Sequence, residues 1–425
     1  MTGPSAEKSN EAAVRGSASS GLSPAMEGMY FRRLKAAGEF IPAGSPGVLI
    51  LTPFYEPNIG GVETHLKDLA DVLRKDGRID AYVLTYQPLT TRARGAYIEG
   101  KDNVTVIRLP WIGMGLFHRL EKHPLIGFLY ITPWLLVSTA VFLAFKGRST
   151  GMIHAQGFNA AFIARALKPV FGKPFIASTH AVYGLRPGSF AARAVSWILA
   201  GADKVLALSN ASKKELASIG VSGKKVSTYT YWIDQERFRP LRRDEAKKGL
   251  GLDGRFVVLF VGRLIEAKGM DLLIEAAKAL KEITFVFAGD GPLSGEMKKA
   301  AEANANIVFR GKVLNHMLPC YYSAADILCV PSRNEEGFGR VIIEALSCGT
   351  PVVASRRGGI PEALDSSVGV LVEPTAGELA RAIEALYRSP LKLSEMQGRA
   401  RGYALERFSE ANARQIIESY IGGDD

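Results

Sequence analysis

Short, wholly apolar runs alternate with longer stretches of helical periodicity from residue 47 almost to the end of the chain. Val48-Leu49-Ile50-Leu51 is apolar at every position, the pattern of a parallel strand buried on both faces. A loop through Pro57-Asn58-Ile59-Gly60-Gly61 follows. Then Val62, Leu66, Leu69, Ala70 and Leu73 recur at helical spacing. The same alternation predicts strands at Asp80–Tyr86, Asn103–Leu109, Gly151–Ala155, Pro174–Ser178 and Lys204–Leu208. A second series opens near Arg255. It predicts strands at Phe256–Val261, Ile283–Ala288, Ile307–Arg310, Asp326–Val330 and Pro351–Ala354, and helices at Met270–Leu280, Ser294–Ala303 and around Glu344. Two such series predict two doubly wound α/β domains, each with a parallel sheet that binds ligands beyond the C-terminal ends of its strands.

The expected organisation is an N-terminal extension over residues 1–30, a first domain over 31–240, a second over 241–404 and a C-terminal segment over 405–425. The extension is rich in Ser, Ala, Gly and Glu and reads as disordered, with a short helix leading in from Met26 to Phe40. It has no apolar leader core, so secretion is not predicted. Tyr231–Leu241 reads as a linker, and Phe408, Ile416 and Ile417 as a return onto the first domain.

Leu125–Phe145 stands apart, because it runs 21 residues without a charge. His118, Arg119, Lys122 and His123 precede it, and Lys146 and Arg148 follow. Three readings stand: a membrane span, a buried core helix, or a helix dipping into one leaflet with the flanking bases at the headgroups. Pro133 and the immediate passage into the strand at Ile153 count against a span.

Charge sharpens the picture. The net charge is +11, yet residues 31–240 carry +13 and residues 241–425 carry −1. The positive excess sits in one half, which predicts attraction to an anionic lipid or anionic acceptor. No stretch interleaves Arg with aromatics and no zinc-finger spacing occurs, so nucleic acid is not an expected partner. Cys320, Cys329 and Cys348 read as small buried residues, as suits a reducing compartment.

The candidate chemistry concentrates at strand ends. In Arg333–Leu346, Glu336 and Glu344 are separated by seven residues, with Gly337-Phe338-Gly339 opening an apolar helix between them. That helix N-terminus offers free N–H groups to a phosphate, and Glu344 could accept from sugar hydroxyls. Arg263 and Lys268 follow the strand at Phe256–Val261 and suit a diphosphate. Ala288-Gly289-Asp290-Gly291-Pro292 is another strand-end loop. In the first half, Gly60 and Gly61 let a ligand approach a helix N-terminus, and His180 follows a strand. There is no G-x-G-x-x-G and no phosphate-binding G-x-x-x-x-G-K-S/T loop. Without an Asp-x-Asp pair or clustered His and Cys, neither a metal nor a cofactor is expected.

These motifs together resemble the family 4 glycosyltransferases, retaining and nucleotide-sugar dependent, of the GT-B fold. The matching residues are Gly60–His65, Val261-Gly262-Arg263 with Lys268-Gly269, Ala288–Pro292, Glu336–Glu344 and Gly358-Gly359-Ile360-Pro361-Glu362, and the resemblance covers about residues 47–420. Pro57–His65 also resembles enzymes acting on membrane lipids, such as the phosphatidylinositol glycosyltransferases. The resemblance implies two Rossmann-like domains facing a central cleft. It places Glu344 on the ribose, Glu336 by the donor sugar, Phe338 and Gly339 as backbone contacts, and Arg263 and Lys268 on the diphosphate. It also places Gly289 at the donor, Lys312 and Val313 near the base, Gly61 (with Gly60) near the transferred group and His180 near the donor sugar. Two departures occur: Tyr231-Trp232-Ile233-Asp234 where the family has Asn-Gly-Val-Asp, and Ala181 after His180. The family mechanism retains anomeric configuration, with the leaving diphosphate oxygen taking the acceptor's proton on the same face.

The expected activity is transfer of a hexose from a UDP- or GDP-sugar to a lipid-linked or glycan acceptor at the cytoplasmic membrane face. Alternatives are transfer to a soluble sugar or polysaccharide, a GT-B epimerase or phosphorylase, and a non-catalytic membrane scaffold.

Overall fold

The structure, a computed structural model, describes residues 47–421 apart from 59, 92, 112–115, 117–119 and 121–122. The readings for residues 1–30, Met26–Phe40 and the bases at 118, 119 and 122 lie outside the described residues.

The first half runs β1 (Gly47–Leu51), α1 (Gly61–Asp76), β2 (Asp80–Tyr86), β3 (Ile98–Lys101), β4 (Val104–Leu109), α2 (Pro124–Lys146), β5 (Met152–Gln156), α3 (Gly157–Phe171), β6 (Phe175–Thr179), α4 (Phe190–Ala200), β7 (Lys204–Ala207), α5 (Asn210–Ser218) and β8 (Val226–Thr228). Its sheet has the order β3-β4-β2-β1-β5-β6-β7-β8. All pairings are parallel except β3 with β4, a hairpin closed by Asp102 at φ 53°. From β1 the chain first builds outward through β2 and β4, then returns to place β5 on the other side of β1. That reversal opens a crevice at the C-terminal ends of β1 and β5.

The second half runs α6 (Arg243–Gly249), β9 (Val257–Val261), α7 (Met270–Ala279), β10 (Thr284–Ala288), α8 (Ser294–Ala303), β11 (Ile307–Gly311), α9 (Leu318–Ala324), β12 (Ile327–Val330), α10 (Arg340–Ser347), β13 (Val352–Ser355), α11 (Ile360–Ala363), β14 (Gly369–Val372), α12 (Ala376–Tyr387), α13 (Pro390–Arg407) and α14 (Arg414–Ile421). Its sheet, β11-β10-β9-β12-β13-β14, is wholly parallel and reverses between β9 and β12. The central strands of both sheets are almost fully buried, as their unbroken apolar runs require.

Tyr231–Leu241 carries the chain from the first half to the second, and it is packed rather than loose. Tyr231, Trp232, Ile233 and Phe238 are buried in a core shared with residues of both sheets. α13 stitches this crossing in place. Arg401 donates to the carbonyl oxygens of Phe238 (2.7 Å), Gln235 (2.9 Å) and Ser347 (3.0 Å). α14 then packs on the first sheet, where the Tyr420 hydroxyl meets His154 Nδ1 at 2.5 Å.

The span reading of Leu125–Phe145 is overturned. α2 joins β4 to β5, both in one sheet, and buries Ile131, Leu135, Phe142 and Leu143 against it. The Tyr86 hydroxyl also donates to the Ile131 carbonyl at 2.6 Å. The opposite face, with Ile126, Leu129 and Val137, is exposed. The three cysteines are free, and Cys329 and Cys348 are buried.

The returning helix can be tested by truncating a core side chain. Ile416 is wholly buried. Ile416→Ala is expected to cost about 2–4 kcal/mol, read as a lower urea midpoint, whereas the exposed Leu405→Ala should leave it nearly unchanged.

Candidate active site

The two crevices bring the strand-end residues together. Beyond β9, Gly262 donates to the Ala288 carbonyl and Leu264 to the Asp290 carbonyl, so the β9 and β10 loops run side by side. Gly289 adopts φ 156°, and a Cβ there would overlap the Gly262 carbonyl oxygen. Lys268 closes a short turn after Arg263, and Gly269 (φ 67°) opens α7 against the Pro331 carbonyl. This presents Lys268 to the loop after β12, where its Nζ lies 2.7 Å from Glu336 Oε1. Ser332 donates to the same carboxylate oxygen.

Glu336-Gly337 is held from both sides. Gly359 donates to the Glu336 carbonyl at 2.8 Å, and a Cβ at Gly358 or Gly359 would overlap this loop. A Cβ at Gly337 would overlap the His180 carbonyl oxygen of the first sheet. The two halves therefore meet in van der Waals contact here. Glu362 extends the contact. Its carboxylate accepts from the N–H of Asn210 (2.8 Å) and Ala211 (2.9 Å), capping α5 across the cleft.

Gly339 takes φ 83° and starts α10, while Phe338 turns its side chain into the core beside Tyr231 and Phe408. Phe338 thus leaves only backbone groups at the cleft. Gly61 is exposed at the start of α1, and a Cβ added there would lie 4.0 Å from the Cβ of Arg340. Beside it the Glu63 side chain folds back over Gly60. Burial raises the pKa of Glu63, while its own amide and the Arg263 guanidinium oppose the rise. Lys312 is exposed and Val313 half-buried, both just beyond β11.

Glu344 lies deeper than its expected ribose role requires. It is 4% exposed, and its oxygens accept from Tyr322 Oη (2.8 Å) and Arg340 Nε (3.1 Å). The structure does not bring it to the cleft surface, because Arg340, one turn earlier, covers it. Arg340 also donates to Asp68 of α1 at 2.5 Å and to the Trp232 carbonyl at 3.4 Å. One buried guanidinium therefore ties a helix of each half to the crossing segment. Burial opposes its charge, and Asp68 and Glu344 more than offset that, so its pKa stays above the ordinary arginine range. Burial raises both carboxylates, against the pull of Arg340. Motif reading missed Arg340 and Asp68. The i,i+4 spacing of Arg340 and Glu344 signals half of the cluster, and nothing local signals Asp68.

His180 is half-buried. Its Nε2 donates to Gln156 Oε1 (2.8 Å), and its Nδ1 accepts from Tyr229 Oη (3.0 Å). His65 packs edge-on 5.9 Å from it, and Tyr231 lies 4.4 Å from the His65 ring. His154 sits behind, between Tyr420 and Ser178. Burial pushes His180 down to about 4 and His154 down to about 3, with His65 well below its ordinary value. All three rings are neutral at pH 7.

Two outcomes follow from these charges. Arg340→Met strands two buried carboxylates, and the expected cost is about 3–5 kcal/mol, seen as a lowered unfolding midpoint. The histidines titrate near 6.5 when unfolded and lower when folded, so the unfolded state binds more protons between about pH 6.5 and 4. Their stability is complete above pH 6.5 and is lost as pH falls toward 4. The raised carboxylates Glu63, Asp68 and Glu344 act in the opposite direction. The histidine part is isolated with His154→Gln, which should flatten the fall of melting temperature with acidification relative to wild type.

Comparison with known proteins agrees with this geometry. Residues 59–237 match the family described as "Glycosyltransferase Family 4", and residues 242–403 match "Glycosyl transferases group 1". A D-inositol 3-phosphate glycosyltransferase of Catenulispora acidiphila is 32% identical over 285 residues, spanning 60% of this chain and 68% of that protein. A GDP-mannose-dependent alpha-(1-6)-phosphatidylinositol monomannoside mannosyltransferase of Mycolicibacterium smegmatis is 26% identical, over 85% of this chain and 94% of its own. Among solved structures, sucrose-phosphate synthase of Thermosynechococcus elongatus aligns with TM-score 0.73 at 23% identity, over 88% of this chain and 98% of its own. The Anabaena protein HepE, solved with UDP and glucose, aligns with TM-score 0.70 at 24% identity, over 88% and 99%. These matches set aside the epimerase and scaffold readings. With two parallel-sheet domains of the GT-B fold, the chain belongs to the family 4 glycosyltransferases.

Proposed function

We propose that the protein transfers a hexose, with retention of anomeric configuration, from a UDP- or GDP-sugar to a lipid-linked or glycan acceptor at the cytoplasmic membrane face. The observation that carries the donor half is the placement of Arg263 and Lys268 just beyond β9, with Lys268 paired to Glu336 in the loop that leads into α10. A diphosphate there meets two cations and a set of free helix N–H groups. The GDP-mannose-dependent relative and the neighbour solved with UDP favour a nucleoside diphosphate.

In this reading Lys268 exchanges Glu336 for the diphosphate. Glu336 then turns to the sugar, and Gly339 and the backbone of Phe338 hold the phosphate. Gly289, Lys312 and Val313 border the nucleoside, and Glu344 stays paired with Arg340 and Tyr322 beneath the helix that the ribose meets. Gly60 and Gly61 leave room for the transferred group. Neutral His180 orders the sugar without adding charge, and Gln156 Nε2, buried without a partner among the described residues, supplies a donor for a hydroxyl. The bond from the anomeric carbon to phosphate breaks with its electron pair on the phosphate oxygen. The acceptor oxygen bonds to the anomeric carbon on the same face and passes its proton to that phosphate oxygen. Arg263 and Lys268 carry the developing charge, so no metal is required.

A second reading has a specific observation behind it. Relatives at about 30% identity are named D-inositol 3-phosphate glycosyltransferases, which points to a soluble phosphorylated acceptor for the basic first domain.

Thermal melting against UDP-, GDP- and ADP-sugars tests the donor, since a ligand bound only by the folded state raises the midpoint. A UDP- or GDP-sugar should stabilise, and no shift with any of them contradicts the proposal. Removing one diphosphate cation, by Lys268→Ala or Arg263→Ala, should lower kcat by about 10²–10³-fold, and EDTA should leave wild-type turnover unchanged. Product formation with inositol phosphate, against a lipid-linked polyol, separates the two acceptor readings.

A further inference from the structure

From residue 122 to 202 the chain contains no Asp or Glu, yet it contains eight Lys or Arg. This acid-free stretch builds α2, α3 and α4, which lie side by side. Phe128 of α2 stacks on Phe162 of α3 at 5.3 Å, and Phe162 neighbours Trp197 of α4 at 6.4 Å. Half of the large hydrophobic side chains that are strongly exposed among the described residues belong to this stretch. Phe190 is 83% exposed, Leu125 67%, Leu129 61% and Trp197 53%. Phe190, Arg193 and Trp197 share one face of α4 by helical spacing, and the Arg165 guanidinium lies 3.9 Å over the Trp197 ring. Exposed Arg186 precedes α4, Lys146 ends α2 and exposed Arg148 follows it.

We infer that the exposed face of α2, α3 and α4 docks on a bilayer containing anionic lipid, with Phe190, Trp197 and Leu129 entering the acyl boundary and the arginines meeting headgroups. Charge complementarity selects this occupant. An apolar protein partner accounts for the exposed rings but not for the absence of every acid across three helices, whereas an anionic bilayer accounts for both. The surface also communicates with the cleft. Phe158, one turn before Phe162 on α3, packs at 4.4 Å against Tyr183, whose hydroxyl accepts from the His180 amide at 3.4 Å. A lipid-linked acceptor thereby reaches His180 along a row of rings. This last step rests on the lipid-acceptor reading of the previous subsection, while the docking surface itself does not.

Flotation of the full chain with phosphatidylcholine vesicles, with and without phosphatidylglycerol, tests the inference. The protein should float with the phosphatidylglycerol vesicles at low salt and lose at least tenfold of the bound fraction with pure phosphatidylcholine. Phe190→Glu combined with Trp197→Glu should abolish flotation and leave the donor-induced rise in melting temperature unchanged. Leu129→Glu, on a different helix, should weaken flotation likewise and stands in if the double variant melts early. Wild-type protein that stays at the bottom, or variants that float as wild type does, overturn the docking surface. So does sedimentation as a dimer that the double variant dissociates, because a second copy then covers the face. Flotation without stabilisation by any nucleotide sugar leaves the docking surface standing and removes the donor reading instead.

Discussion

The guanidinium of Arg340 is the constraint around which the cleft is arranged. It is buried where α1 of one half, α10 of the other and the crossing segment converge, and it satisfies Asp68, Glu344 and the Trp232 carbonyl at once. A buried cation of this kind adds little net stability, since desolvation offsets much of the attraction. Its consequence is geometric. The carboxylates it holds cannot separate without being stranded, so the two crevices stay opposite each other. Glu362 capping α5 and the bare backbone contact between Gly337 and His180 act in the same direction.

Under the proposed function, this arrangement joins a donor side carrying Arg263 and Lys268 to an acceptor side lined by uncharged histidines and tyrosines. Arg263 and Lys268 sit against carboxylates of the protein itself, with Glu336 held by Lys268 and Glu63 attracted by Arg263. In the proposed reading, a diphosphate replaces one set of anions with another rather than entering an empty cationic site. On the far side, burial keeps His65, His154 and His180 uncharged, and Tyr229 and Tyr231 fix the His180 ring. In the proposed reading, catalysis by charge belongs to one domain and positioning to the other.

Much of this was readable in the chain, for identifiable reasons. Strands such as Val257–Val261 are apolar at every position because both faces are covered, and their ends therefore mark where ligands bind. Lys268 and Glu336 were both picked out as strand-end residues, although their pairing was not. The edge strands β3 and β8 escaped notice, because Ile98–Lys101 is mostly exposed and Val226–Thr228 is only three residues long. Arg340 and Asp68 are 272 positions apart, and no local pattern links them. The buried state of Glu344 was hidden for the same reason, since what covers it comes from a contact that exists only once both sheets have formed. The linker reading of Tyr231–Leu241 locates the crossing between the halves but not its burial, although Tyr231, Trp232 and Ile233 are large and apolar, as a core segment requires.

Amide hydrogen exchange with and without UDP, and separately with and without GDP, tests most directly whether a single cleft built from both halves receives the donor. The account predicts that one of these nucleotides slows exchange together at 262–269, at 337–341 and, across the cleft, at 60–64. Protection confined to one half, or at segments remote from all three, contradicts it.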